Sequence, residues 1–230
     1  MHYQHEEIQR LNTKTPMCTE YPPGSPNEKD WEHMEAYLES RDLDVTLARK
    51  NGWYPSRQAG DSFLRVVIPA RTHKAGHVYW QARALSPKAY LRYQSPPGPR
   101  HEAIIVIEPA EPVGTVIVEG PMCALRAAMH GYIGIALMGA VPNEATLRHV
   151  CLVIESHKRL PIVVLLDRDS GNASVRVSTF LASQGYLNIV GRFVNSKDLT
   201  ELSLHDSTKL LRRCFRTINS SMRKCEERRF

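Results

Sequence analysis

Between positions 115 and 198 three apolar runs each end in carboxylates. Thr115-Val116-Ile117-Val118 leads into Glu119-Gly120, and Ile162-Val163-Val164-Leu165-Leu166 leads into Asp167-Arg168-Asp169. The run over 187–194 is followed shortly by Lys197-Asp198. Short continuous apolar runs separated by helix-length segments read as buried strands of a parallel sheet. The C-terminal ends of such strands share one edge, where open α/β folds place their ligands. Four carboxylates on one rim are most easily sustained by a divalent cation. Oxygen donors suit a hard ion such as Mg²⁺, which keeps waters and borrows substrate phosphates to complete its shell. Glu119, Asp167, Asp169 and Asp198 are therefore the candidate metal ligands. Capping and turn roles are the plain alternative for each carboxylate taken singly; three strand-terminal acidic elements in one register favour the metal.

The elements that must position these residues follow from the pattern. Strands are expected at 115–119, 133–138, 162–167 and 187–194, and helices at about 121–130, 143–157 and 171–184. This βαβαβαβ order covers both faces of a sheet through right-handed crossovers. Upstream, residues 1–29 read as a flexible arm, rich in turn formers toward its end (Pro16, Pro22, Pro23, Gly24, Pro26). A helix is expected from Asp30, with Asn27 as a rival cap, carrying Trp31, Met34, Tyr37 and Leu38 at helical spacing. A second covers Asp44 to Lys50 and stops at Asn51-Gly52. Strands then occupy 63–69, 76–85 and 103–107. Arg65, Arg71, Lys74, Arg83, Lys88, Arg92 and Arg100 interleave there with Tyr79, Trp80, Tyr90 and Tyr93. Cations tracking phosphates and rings stacking on bases suit single-stranded nucleic acid; a half-buried sheet with a solvated charged face gives the same composition. The expected segments are 1–29 (arm), 30–110 (basic subdomain), 111–204 (α/β domain) and 205–230. This last is a basic helical tail that could serve as a nucleic-acid or partner contact, or as a frayed end.

The net charge of +6 and pI near 9.1 place cationic surface away from the acidic rim, as a polyanionic partner requires. The five cysteines are scattered without a C-x-x-C pair, so neither a zinc ribbon nor a disulfide framework is expected. His73 and His77 flank Gly76 in a turn-like stretch and read as surface histidines; His130 and His149, on expected helices, read as structural. The polar N-terminus leads to the expectation of no signal peptide, and no apolar run nears the roughly 20 residues a membrane span requires. The expected location is cytoplasmic, in a bacterial host if the gene is a phage's.

Val116-Ile117-Val118-Glu119-Gly120, Leu166-Asp167-Arg168-Asp169 with Gly171, and Lys197-Asp198 with Leu202 resemble the TOPRIM domain of DnaG-type primases, phage primases, topoisomerases and some nucleases. The likeness spans about 112–203. A second likeness, to the segment preceding TOPRIM in primases, rests on Val67-Ile68-Pro69, Gly76-His77-Val78, Gln81-Ala82-Arg83-Ala84-Leu85 and Arg92-Tyr93-Gln94-Ser95-Pro96. Arg92-Tyr93 stands where the family more often has Lys-Tyr, and an alternative register puts Lys88 there. Tyr37-Leu38-Glu39-Ser40-Arg41 echoes an entry helix, with Asp42 in place of the family's glycine.

The resemblance implies an α/β TOPRIM fold, an about four-stranded parallel sheet with flanking helices, preceded by a smaller mixed α/β basic subdomain. It implies a DNA primase catalytic core making short RNA primers on single-stranded DNA from ribonucleoside triphosphates, in phage or plasmid replication. Glu119, Asp167 and Asp169 would be catalytic through Mg²⁺ (or Mn²⁺), with Asp198 at the second ion or in the outer shell. Arg71, Arg83, Lys88, Arg92, Tyr93 and Lys197 would hold nucleotide or template. Cys123 stands where the family carries aspartate, and reads as a buried small apolar residue; Arg168 stands where glycine is common. With neither a zinc ribbon nor a G-x-x-x-x-G-K-[ST] loop, such a core would depend on a replicative helicase or a separate template-selecting protein. A TOPRIM nuclease, or a non-catalytic single-strand-binding protein with a degenerate metal site, are the alternatives.

Overall fold

The computed structural model describes residues 20–23, 26–59, 63–72, 78–98, 103–139, 142–157 and 160–227. Residues 1–19 of the expected arm, His73, Lys74, His77 and Arg100, and the side chains of Arg223, Lys224, Arg228 and Arg229, lie outside the described residues. Helix α1 (Glu28–Glu39) begins two residues before the expected Asp30, because Asn27 is the cap and its side chain accepts from the Asp30 N–H at 2.9 Å. Asp30 is buried and paired with Arg57 instead. Helix α2 (Val45–Lys50) starts one residue after the expected Asp44, which caps it by accepting from the Leu47 N–H. Strands β1 (Tyr54–Ser56), β2 (Arg65–Thr72), β3 (Tyr79–Ala84), β4 (Tyr93–Gln94) and β5 (Ala103–Ile107) follow. β1 and β4 were not expected: at three and two residues they are too short for a periodicity to declare itself. β2 runs past Pro69, which was expected to end it. That proline falls between the last pair with β1 (Tyr54↔Val67) and the first with β5 (Arg71↔Ile104), where a missing N–H disturbs neither ladder.

The remainder follows the expected order: β6 (Thr115–Val118), α3 (Pro121–Met129), β7 (Ile133–Ala136), α4 (Glu144–Ser156), β8 (Ile162–Val164), α5 (Gly171–Ser183), β9 (Asn188–Val190) and α6 (Leu204–Glu227). β6, β7, β8 and β9 are mutually parallel in the order β7-β6-β8-β9, the four-stranded unit expected. β9 is shorter than the expected 187–194, since the chain leaves the ladder at Gly191. The sheet does not stop at the boundary expected near 110. β5 pairs antiparallel with both β2 and β7, so a single nine-stranded sheet runs β4-β3-β2-β5-β7-β6-β8-β9, with β1 on β2.

Alternation along each strand builds two cores. Val116, Val118, Val163 and Leu165 face α3, α6 and the helices of the N-terminal half; Ile117, Ile162, Val164 and Leu166 face α4 and α5. Fully burying one such aliphatic side chain stabilises by about 1.5–3 kcal/mol, so both layers hold the sheet firmly. α3 lies directly on β7, and a Cβ at Gly134 would overlap the Ala124 carbonyl; only glycine permits that approach. The basic tail is not a frayed end over its first four turns: Leu211, Cys214, Phe215 and Ile218 are buried, and Phe215 stacks on Tyr132 with centroids 4.3 Å apart. No described helix is long and apolar enough to cross a membrane.

Candidate active site

From β6 the chain passes through α3 to β7 on one side, then through α4 to β8 on the other. β6 and β8 therefore flank a topological switch point, the place where open α/β sheets leave a crevice. Glu119 follows β6 and Asp167 follows β8 by way of buried Leu165 and Leu166, so the sheet delivers both carboxylates, half-buried, to this crevice. Gly120 caps α3 and Pro121 opens it, which turns the chain sharply after Glu119.

Three contacts fix the rim. The Ser170 hydroxyl donates to Glu119 Oε2 at 3.0 Å. Ser170 is the cap of α5, yet its side chain makes no capping bond because it is turned to Glu119. The Arg168 N–H donates to the Lys197 carbonyl at 2.9 Å, tying the loop after β8 to the loop after β9. Asp198 Oδ1 accepts from the Thr200 N–H and hydroxyl at 2.7 and 2.8 Å and from the Glu201 N–H at 3.1 Å, which orients its carboxylate. Asp169 is exposed, with its Oδ2 3.9 Å from Lys197 Nζ.

The electrostatics show how these groups sit together. Burial, followed by the charges of Glu119 and Asp198, pushes the Asp167 carboxyl up to about 6; Lys197 opposes and Asp169 adds to the rise. Cys123, at the position of the family's aspartate, is buried beside Asp198 and Asp167, and burial pushes its thiol up. A buried neutral thiol leaves the rim one carboxylate short of the family pattern. Among the described residues, no three His, Cys, Asp or Glu side chains are grouped to enclose an ion as they stand. The donor set nevertheless fits a hard divalent cation: every candidate ligand is a carboxylate oxygen, and Asp167 feels more acidic than basic neighbours.

The expected nucleotide-binding residues divide. Arg92 is exposed and lines a cleft of about 720 Å³ together with Tyr37, Arg41, Arg83 and residues 200–203, one residue beyond Asp198. Arg83 is neither a solvated strand arginine nor a free phosphate donor. It is 5% exposed, its Nη1 donates to the Tyr93 hydroxyl at 2.6 Å and its Nε to the Tyr37 hydroxyl, and its charge lies over both rings. Tyr93 is thereby committed at its hydroxyl. Lys88 is exposed on a turn between Pro87 and Ala89, which line the same cleft. Arg71 is not brought to it: its guanidinium pairs with Glu108 at 2.8 Å in another hollow, beside Lys50 and Asn51. Of the other interleaved residues, Arg65, Tyr79 and Trp80 are buried, and Arg65 donates to the Ala82 and Leu91 carbonyls. The basic texture is thus partly structural.

Sequence reading missed two residues that the fold places at the rim. Ser170 was hidden because a serine at a helix start reads as a cap. Arg126, on α3, is fully buried, donates from Nη2 to the Arg41 carbonyl at 2.7 Å, and leaves Nε and Nη1 without partners. Burial lowers its pKa; Asp42, Cys123 and Asp198 oppose that shift, so it is the buried cation behind the Asp198 loop. Asp42 itself has φ 52, the left-handed conformation for which the family's glycine is suited.

A mixed sheet with a parallel four-strand unit, carboxylates at its switch point and a basic cleft alongside define the class of fold of the DnaG-type primase catalytic domain, which contains TOPRIM. The chain is similar to the DnaG primase catalytic domain solved bound to ssDNA, with TM-score 0.63 and 15% identity over 94% of this chain and 80% of that one. It is similar to the RNA polymerase domain of Mycobacterium tuberculosis primase DnaG (TM-score 0.60, 18% identity, 82% of this chain and 76% of that one). The zinc-binding and RNA polymerase domains of the Aquifex aeolicus primase give TM-score 0.59 and 20% identity over 84% of this chain; the match spans 56% of the Aquifex chain. No protein-family model and no curated protein sequence matches the chain.

Proposed function

We propose that this chain is the catalytic core of a DNA primase, which builds short RNA primers from ribonucleoside triphosphates on single-stranded DNA. One observation carries the reading. Asp198, on the acidic rim, is separated by the buried Leu199 alone from residues 200–203, which form a wall of the cleft lined by Arg92. A metal-held triphosphate and a template strand would thus meet across one loop. The primase-type fold supports the same reading, and phage or plasmid replication is the setting proposed for it.

Glu119, Asp167 and Asp169 would hold Mg²⁺ or Mn²⁺, with Asp198 as a further or outer-sphere ligand. Bound there, the ion would supply charge neutralisation on the triphosphate and a more acidic 3′-hydroxyl. The protein's own part is positioning. Ser170 fixes one oxygen of Glu119, the Thr200 and Glu201 amides fix Asp198, and Arg92 offers a bidentate guanidinium to phosphate at the cleft. Arg83 lines the cleft beside Tyr37 and ties the Tyr37 and Tyr93 hydroxyls together, so its part is to hold that wall in place.

The test is primer synthesis by the purified chain, given single-stranded DNA, labelled ribonucleotides and Mg²⁺ or Mn²⁺, beside an Asp167→Ala/Asp169→Ala control. Short products that vanish in the control are the expected result. Cleavage of the DNA without nucleotides would instead establish a TOPRIM nuclease. The thiol at Cys123 and the open arrangement of the carboxylates favour a degenerate, non-catalytic core as the second reading; binding of DNA with neither activity would be its mark.

A further inference from the structure

The loop after β9 and the outer face of α6 enclose a groove of about 580 Å³ whose lining is mostly apolar. Phe193 forms its floor and is 8% exposed; Leu202 and Leu210 are half-buried beside it, and Val194 stands on its rim, 74% exposed. Lys209, Arg213 and Arg216 follow the groove along one stripe of α6, at spacings of four and three residues, and Arg192 faces them from the loop. All four cations are exposed, and none makes an ion pair with a described residue. The one acidic residue in the groove, Asp206, accepts from the Ser203 hydroxyl at 2.7 Å while its own N–H donates back to Ser203, so it is engaged in capping α6.

Apolar side chains at the floor and unpaired cations at the rim ask for a ligand with both characters. A polynucleotide supplies the negative charge but needs an open ring to stack on, and Phe193, the groove's aromatic residue, is closed under its neighbours. An acidic amphipathic peptide supplies both, placing leucine or phenylalanine against Leu202, Leu210 and Val194 and carboxylates against the cations.

We propose that this groove docks an acidic segment of a partner protein carrying apolar anchors. The groove shares Leu202 with the cleft, whereas Val194, Lys209, Arg213 and Arg216 lie outside it, so the test reads peptide binding and does not depend on primer synthesis. A fluorescent peptide alternating Asp and Glu with Leu and Phe is titrated by anisotropy against the full chain, beside a peptide with Ser in place of Leu and Phe, and a single-stranded oligodeoxynucleotide. The Arg213→Glu/Arg216→Glu variant and the Val194→Asp variant alter only exposed side chains, and circular dichroism checks that both fold. The expected result is saturable binding of the apolar peptide, weakened about tenfold or more by each variant and by the serine peptide, as loss of a buried anchor or charge pairs would give. Oligodeoxynucleotide affinity stays within about twofold in the Val194→Asp variant and falls less than peptide affinity in the Arg213/Arg216 variant, where the general loss of positive field is the only cause. Three results overturn the proposal: no binding of the apolar peptide by the unaltered chain, equal binding of the serine peptide, or loss of the oligodeoxynucleotide alone in the Arg213/Arg216 variant. The last would assign the groove to nucleic acid.

Discussion

At the scale of single residues, the rim is held by few contacts, each with a separable role. Ser170 touches Glu119 and leaves α5 without a side-chain cap, so its removal acts on the carboxylate more than on the helix. Ser170→Ala is expected to weaken Mn²⁺ binding by about tenfold, a hydrogen bond to a charged group being involved. The melting temperature should barely move, and Ser170→Thr should restore binding; calorimetric titration reads the affinity. Asp167 gives the pH dependence. Its carboxyl is raised from 3.8 to about 6 in the fold, so folding disfavours the ionised form. The resulting penalty is absent below the ordinary carboxylate range, grows between 3.8 and about 6, and is full above that. A divalent ion held by these carboxylates would offset it. The rise in melting temperature on adding Mg²⁺ or Mn²⁺ is therefore expected to be larger well above pH 6 than below it, and thermal scans at both settle the point.

At the scale of elements, α3 and the 198–203 loop form the joint between rim and cleft. Arg126 sits behind it with two guanidinium nitrogens unpartnered, while Asp42 is exposed and Asp198 is half-buried, within reach of water. Burying such a cation is poorly compensated, and an apolar side chain of similar length can replace one at little loss. Arg126→Met is expected to change unfolding stability by no more than about 1 kcal/mol in denaturant titrations. Primer synthesis should fall with it, because the Asp198 loop loses its buried counter-charge. A large loss of stability with intact activity would reduce Arg126 to a structural tie between Arg41 and α3.

At the scale of the whole molecule, one core runs from α1 to α6, from Met34 and Leu38 through Val116 and Val163 to Phe215 and Ile218. That core draws on residues of both the 30–110 and the 111–204 segments, and α6 closes it. Phe215 stacks on Tyr132 and fills the space over Gly114, where a Cβ would strike its ring. Phe215→Ala is expected to lose about 3–5 kcal/mol, visible as a lower denaturant midpoint. The basic balance acts at the same scale. With a net charge of +6, binding of single-stranded DNA should weaken steeply with salt, while Mg²⁺ at fixed ionic strength should strengthen it by neutralising the rim.

The parallel strands, the helices between them and the carboxylates after Val118, Leu166 and Lys197 were all legible in the sequence, because apolar runs and strand-end acids are local patterns. So was the cap Asn27, as one of two candidates. Tertiary structure alone decided the rest. The order β7-β6-β8-β9 puts Glu119 and Asp167 at a switch point, and pairing of β5 with β7 fuses the basic half to the sheet. Long-range packing also turned Arg83 inward between Tyr37 and Tyr93, drew Arg71 to Glu108, and set Ser170 and Arg126 behind the rim. No local pattern encodes these partners, which lie from 10 to 85 positions apart along the chain. Periodicity tells which face of an element is buried; which group it meets there is fixed only when the layers close.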